Sequence, residues 1–257
     1  MQEYKTLNDL MKMLLLFNTF QCDEKSVMDI AKSLDILPSK ASRMLGTMEK
    51  DGFLERNRAT NKYRLGIRFF ELGMVYAFHL PLRRIIRPHI EQMAKELNMT
   101  ASWGILKGNR VIVVDHIRNM NIDLLAHRIG LNLPVHTTSI GKALLAYLSE
   151  EEQDRVLDSA DLAKLTDVSL VDRKSIKENL NLVKERGYST DEGETHTDLN
   201  CIACPIRNEG RQVIAAINLT AEKTQMSAEE VFALAPYLKE KALFVSRQLG
   251  YFSGAAG

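Results

Sequence analysis

Cysteine is scarce. Three residues in 257, an odd number, argue against a disulfide scaffold and for a reducing compartment. Aromatic residues make up only 7% of the chain, with one tryptophan, and there are six prolines and no low-complexity tract or internal repeat. Neither sign of charge dominates: 34 basic and 33 acidic side chains leave a net charge of +1. A neutral total neither requires nor forbids nucleic acid, because a local basic patch suffices. No apolar run approaches the roughly 20 residues that cross a bilayer. No basic-then-apolar leader opens the chain, so the expectation is a cytoplasmic protein without membrane contact.

Familiar reaction motifs are missing as well. Ser139-Ile140-Gly141-Lys142 lacks the upstream glycine of a phosphate loop, since position 136 is His, and Ala143 stands where the hydroxyl residue belongs. Thr137 occupies the first glycine position of a nucleophile elbow, and there is no HExxH pair. Cys201 and Cys204 form one CxxC without a second. On a strand they point to opposite faces, which disfavours a shared metal even with Glu194 and His196 near in sequence. Asp191, Glu192, Glu194 and Asp198 are dense enough for acid–base work, but no nucleophile, base and oxyanion donor assemble around them. No cofactor and no metal are expected. A small-molecule enzyme and a metal sensor remain as the alternatives to binding.

What is present begins with helices. Leu7, Leu10, Met11, Leu14 and Leu15 recur at helical spacing, and Ser26 with Asp29 opens a second helix through a capping box. Pro38 or Ser39 starts a third, with Ala41, Met44, Leu45 and Met48 on its apolar face and Gly52 at its end. Short strands over 53–56 and 62–65 flank a polar tip. This order reads as a winged helix-turn-helix whose third helix can enter a major groove. Ser39, Lys40, Ser42, Arg43 and Thr47 lie outside the apolar face of that helix, and Arg56, Arg58, Lys62 and Arg64 surround the wing. These are donors for phosphates and base edges; the alternative is a solvated basic face.

Ile67–Phe78 reads as a linker helix ended by Pro81, and 82–98 is the clearest amphipathic helix of the chain. Strands follow over 100–106, 111–117 and 122–127, then a loop over 130–134 and a helix capped by Thr138 or Ser139. Ser149 with Glu152 and Asp172 mark two more helix starts, and Gly187 closes the second of these helices. An acidic loop over 189–198 leads into a hairpin, 201–206 and 212–221, turning at Asn208-Glu209-Gly210. Ser227 with Glu230 caps a last helix reaching about Leu249. Polar Asn218 and Thr220 share a face of the final strand with Ile214 and Ala216, opposite Val213, Ala215, Ile217 and Leu219. They form either a cavity wall or a hairpin edge meeting water. The class is α+β with an antiparallel sheet.

GY-x-x-D-x-x-E followed by CIA-x-PI and VIAAI, and GLNLPVHTTSIGKALLA over 130–146, resemble the two effector-domain signatures of the IclR family of bacterial transcription regulators. With the N-terminal pattern, the resemblance spans nearly the whole chain. It implies a winged helix-turn-helix over 1–66, a linker helix over 67–80, and a GAF/PAS-like effector-binding and oligomerisation domain over 81–257. It further implies a homodimer or homotetramer on a palindromic operator in double-stranded DNA. The position-by-position match implies an effector pocket of Ile122, Leu125, Leu133, Ser139, Ile140, Asp191, Leu199, Cys201, Asn218 and Thr220, with the amides of Ser139 and Ile140 receiving an anion. A small organic acid that controls DNA affinity is the expected ligand. Two departures are visible at the recognition helix. Lys40-Ala41-Ser42 stands where a small hydroxyl-rich tripeptide is usual, and Pro38 lies one residue nearer to Arg43. In the pocket, Ile140 replaces a commonly small residue and Asp198 a common glycine.

Overall fold

The computed structural model describes residues 4–17, 24–118, 130 and 132–252. The chain divides after Leu80 into two compact units. The first contains α1 (Lys5–Leu15), α2 (Val27–Leu34), α3 (Pro38–Lys50), a two-stranded wing of β1 (Leu54–Arg56) and β2 (Tyr63–Leu65), and α4 (Ile67–Phe78). Local chemistry sets the boundaries. Ser26 Oγ accepts from the Asp29 amide at 3.1 Å while Asp29 answers the Ser26 amide at 2.8 Å, so α2 starts on a complete capping box. Asp35 turns left-handed to end α2, and Pro38 sits in the first turn of α3. Gly52, at φ 75°, takes the left-handed position after α3. Met13, Ile30, Leu45 and Leu54 are buried between the three helices and the wing.

The second unit opens with α5 (Pro81–Leu97). It continues through β3 (Thr100–Lys107), β4 (Arg110–Ile117), β5 (Asn132–Pro134), α6 (Ser139–Leu145), α7 (Glu150–Ser159) and α8 (Arg173–Arg186). Then come β6 (Ser189–Glu192), β7 (Leu199–Arg207), β8 (Val213–Glu222), α9 (Ala228–Phe232) and α10 (Ala235–Gln248). Six strands form one antiparallel sheet in the order β5-β4-β3-β8-β7-β6. The α+β class is thus realised. Two-residue alternation assigns each strand to two cores at once. Ile202, Cys204, Ile206, Ala215, Ile217 and Leu219 pack under α5, α9 and α10, together with Trp103. Ala203 and Ala216 face α6 and, behind it, α7 and α8.

Several expectations change. Residues 132–134 form an edge strand on β4 rather than a loop, and 189–192, expected as loop, pair with β7. The last helix is two, α9 and α10, because Pro236 in the first turn of α10 supplies no amide to continue α9. Within the β7–β8 turn, Arg211 takes the left-handed conformation at φ 61°. Val213 packs with the α6 side, opposite to the face read for it, beyond a register shift at Ile206/Arg207. The strand expected over 122–127 lies outside the described residues.

Candidate functional site

The centre of the second unit is polar. Ser102 on β3 faces Asn218 on β8, and its Oγ donates to Asn218 Oδ1 at 3.0 Å. Asn218 Nδ2 in turn donates to Ser139 Oγ at 2.8 Å. The Thr220 hydroxyl lies 2.9 Å from Asn218 Oδ1 and 3.3 Å from Cys201 Sγ. Buried hydroxyls and amides are stable in such a place only because each finds a partner. Beside this network lies a cavity of about 30 Å³, roughly the volume one water occupies in the liquid.

Its wall brings together Leu133, Ser139, Ile140, Asp191, Leu199, Cys201 and Asn218. Thr220 joins through its contacts with Cys201 and Asn218 rather than by lining the space. Ile122 and Leu125 lie outside the described residues. Ser102, Val113, Thr138 and Thr195 also line the cavity and were not found from sequence. The first two come from strands that only the sheet pairing brings near.

Two elements hold the wall. Thr138 is the N-cap of α6: its Oγ1 accepts from the Gly141 amide at 3.1 Å and donates to the Pro134 carbonyl at 2.7 Å. The amides of Ser139 and Ile140, in the first turn, have no acceptor in the helical pattern. Gly141 is required because a Cβ there would stand 2.4 Å from the Val135 carbonyl oxygen. Opposite, Asp191 Oδ1 accepts from the amides of Glu194 at 2.7 Å and Thr195 at 3.2 Å, closing the turn after β6. Lys142, 1% exposed, forms an ion pair with Glu194.

Burial dominates the electrostatics. It raises the Asp191 carboxyl above its ordinary range, opposed by nearby donors and by Lys142. Burial also lifts Glu194 to about 7, against the pull of Lys142. The Cys201 thiol is driven up and stays neutral. Cys204, pushed up to about 12, lies in the other core, so the two sulfurs point to opposite faces.

In the first unit, Ser39, Ser42, Arg43 and Thr47 are exposed along α3, as are Arg56, Arg58 and Lys62 on the wing. Thr47 Oγ1 donates to the Arg43 carbonyl at 2.9 Å. The Arg56 guanidinium sits 5.6 Å over the Tyr63 ring. Lys40 is different. It is half-buried and paired with Asp9 of α1, so its charge is satisfied inside the unit and it is a poor candidate for phosphate.

Residues 10–58 match the model of the IclR helix-turn-helix domain, and 74–247 that of the bacterial transcriptional regulator IclR C-terminal domain. The chain belongs to the IclR family. The HTH-type transcriptional regulator XynR of Escherichia coli K12 is 30% identical over 241 residues, spanning 94% of this chain and 95% of that protein. The HTH-type transcriptional repressor AllR of the same organism is 25% identical, over 88% of this chain and 83% of that one. An IclR homolog from Microbacterium hydrocarbonoxydans, solved with 4-hydroxybenzoate, superposes with a TM-score of 0.79 at 27% identity, over 95% of this chain and 98% of that chain. As an IclR-family member the chain is a DNA-binding transcriptional regulator and not an enzyme.

Proposed function

We propose that this IclR-family chain binds a palindromic operator and that a small organic acid in the cavity of residues 81–257 sets its affinity for that DNA. The convergence of seven residues, scattered from Leu133 to Asn218, on one largely apolar cavity edged by buried polar groups carries this reading. A carboxylate needs donors when buried. The first-turn amides of α6, Asn218 and the Ser139 hydroxyl offer them. A hydroxy- or keto-acid also gives Asp191 a hydroxyl or a proton to share. The 4-hydroxybenzoate bound to the Microbacterium relative is an acid of this kind. The cavity is small, about 30 Å³, and Ile140 and Leu133 restrict the bulk of a ligand.

DNA contact is assigned to Ser39, Ser42, Arg43 and Thr47 on α3 and to Arg56, Arg58 and Lys62 on the wing, with 1–66 as the DNA-binding domain. A second copy is expected on α4, the linker of 67–80, none of whose side chains is fully buried within the chain, although Phe69 packs edge-on against Phe53. Phe70, Val75, Tyr76 and Phe78 are each more than half exposed there, an apolar surface beyond what a lone soluble protein usually presents. Two copies fit a palindrome, and a homotetramer is the larger alternative. Ligand control then requires unequal affinity for DNA-competent and incompetent arrangements. The test screens short 2-hydroxy acids, 2-keto acids and hydroxybenzoates, each against its amide, by thermal shift and by gel shift on the upstream region. Stabilisation by amides alone, or undiminished acid affinity in an Asn218→Ala/Thr220→Ala variant, refutes the assignment.

A further inference from the structure

The cavity adjoins a set of buried charges. Asp191, 2% exposed, is the one ionisable carboxyl among the residues lining it, and Glu194 follows three residues later. Lys142, on α6, is the one cation paired within this set, and Glu194 takes it. Glu194 Oε2 is buried without a hydrogen-bond partner. Two carboxyls therefore share one fully buried ammonium, with the half-buried Arg186 guanidinium also acting on Glu194, in a place where unpaired charge is costly.

Among the described residues, the surrounding elements bring no second fully buried cation. His136, before α6, has Nε2 3.1 Å from the Ala163 carbonyl, and burial keeps its ring neutral. Arg186, half-buried at the end of α8, donates to the Tyr188 carbonyl at 2.6 Å and to Thr190 Oγ1 at 3.1 Å, stacks on the Tyr188 ring, and also acts electrostatically on Glu194. Cys201, opposite Asp191 on β7, is a neutral thiol. Asp115 on β4 is turned to Arg83 and Arg87 of α5. Lys223, after β8, is exposed and approaches the outer side of Gly193, while His196 lies 3.9 Å from Asp198 on the same turn. An entering carboxylate thus adds a negative charge that no described cation answers.

We propose that the cavity takes its acid together with one proton, which rests on Asp191 Oδ2 and makes that carboxyl a donor to the ligand's carboxylate. Oδ1 is engaged by the Glu194 and Thr195 amides, and the Thr195 hydroxyl also acts on the carboxyl; Oδ2 takes neither amide and is the oxygen assigned to carry it. The charge balance closes. Before binding, with both carboxyls ionised, Asp191 and Glu194 balance Lys142 and Arg186. Afterwards the ligand carries the charge that Asp191 has lost, and the sum is unchanged. Lys142 and Glu194 remain an ion pair that positions the 191–195 turn. Burial, which already favours protonated Asp191, works in the same direction.

This proposal rests on the acid-site reading, and the experiment separates the two. Titration calorimetry of the full chain with hydroxybenzoates and 2-hydroxy acids is run from pH 6 to 9 in buffers of different ionisation enthalpy. Expected are a Kd that rises up to tenfold per pH unit at the alkaline end and an uptake approaching one proton per acid. Asp191→Asn, neutral at every pH and still a donor, binds the acids with no uptake and a flat pH profile, and amide ligands show no coupling to either protein. Flat, uptake-free binding by the native chain, or coupling that persists in Asp191→Asn, overturns the proton role and leaves the acid site standing. No binding by any acid overturns both.

Discussion

Replacing Lys142 by Met keeps the length and apolar bulk of the side chain and removes the ammonium from a site 1% exposed. Glu194 is then left buried without its cation, beside buried Asp191. Breaking a buried pair in this one-sided way costs about 3–5 kcal/mol, which for a unit of this size is a loss of about 10 °C in Tm. The cost depends on pH with a definite sign. Glu194 has its folded-state pKa raised from 4.5 to about 7, so its contribution to stability is full below 4.5 and is lost as pH rises through 7. Without Lys142, which opposes the rise, the shift is larger. The deficit of Lys142→Met is therefore small at pH 5 and full at pH 8. Urea unfolding at both values measures it, read by the emission of Trp103, the sole tryptophan, buried on β3 of the second unit. A Lys142→Met/Glu194→Gln double variant recovers most of the loss, because neither charge remains. Equal loss at both pH values, or none at pH 8, refutes the buried pair as the cause.

Further outcomes are expected. Arg43→Ala, with the fold intact by circular dichroism, weakens operator binding by about 1–3 kcal/mol in a gel shift, whereas Lys40→Ala acts mainly on unfolding, because its partner is Asp9. Gly141→Ala forces a Cβ against the Val135 carbonyl and costs at least the roughly 1–3 kcal/mol of ordinary overpacking, visible as a lowered Tm. Asn218→Ala leaves Ser102 Oγ without its acceptor, and thermal unfolding registers about 1–3 kcal/mol. Phe70→Ser with Tyr76→Ser leaves the monomer fold unchanged and shifts sedimentation towards monomer.

Helix boundaries were legible because their causes are local. Ser26 with Asp29, Ser149 with Glu152, Asp172 and Ser227 each satisfy amides within three residues, so sequence spacing carries the information. Pro236 was an equally local sign, and overlooking it merged α9 with α10. The edge strands were not legible. Ser189-Thr190-Asp191-Glu192 has no apolar alternation, and it is extended because β7 pairs with it. In the cavity, Asn218 and Thr220 stood out as polar residues on an apolar strand. Ser102 gave no comparable sign, since its role arises from pairing with a residue 116 positions away. The buried pairing of Lys142 was likewise hidden, although a lysine in the run SIGKALL, buried throughout, is the one clue the chain offers.

The alternation along β8 bears on how such a regulator can change over generations. Asn218 and Thr220 face the polar network, while Ile217 and Leu219 between them belong to the core under α5 and α10. On the proposed reading of the cavity, neighbouring codons therefore answer to different selective pressures, one set to the ligand and the other to whether the domain folds. A lineage could then drift towards a new ligand by substitutions at every second position of one strand while the intervening positions hold the scaffold constant.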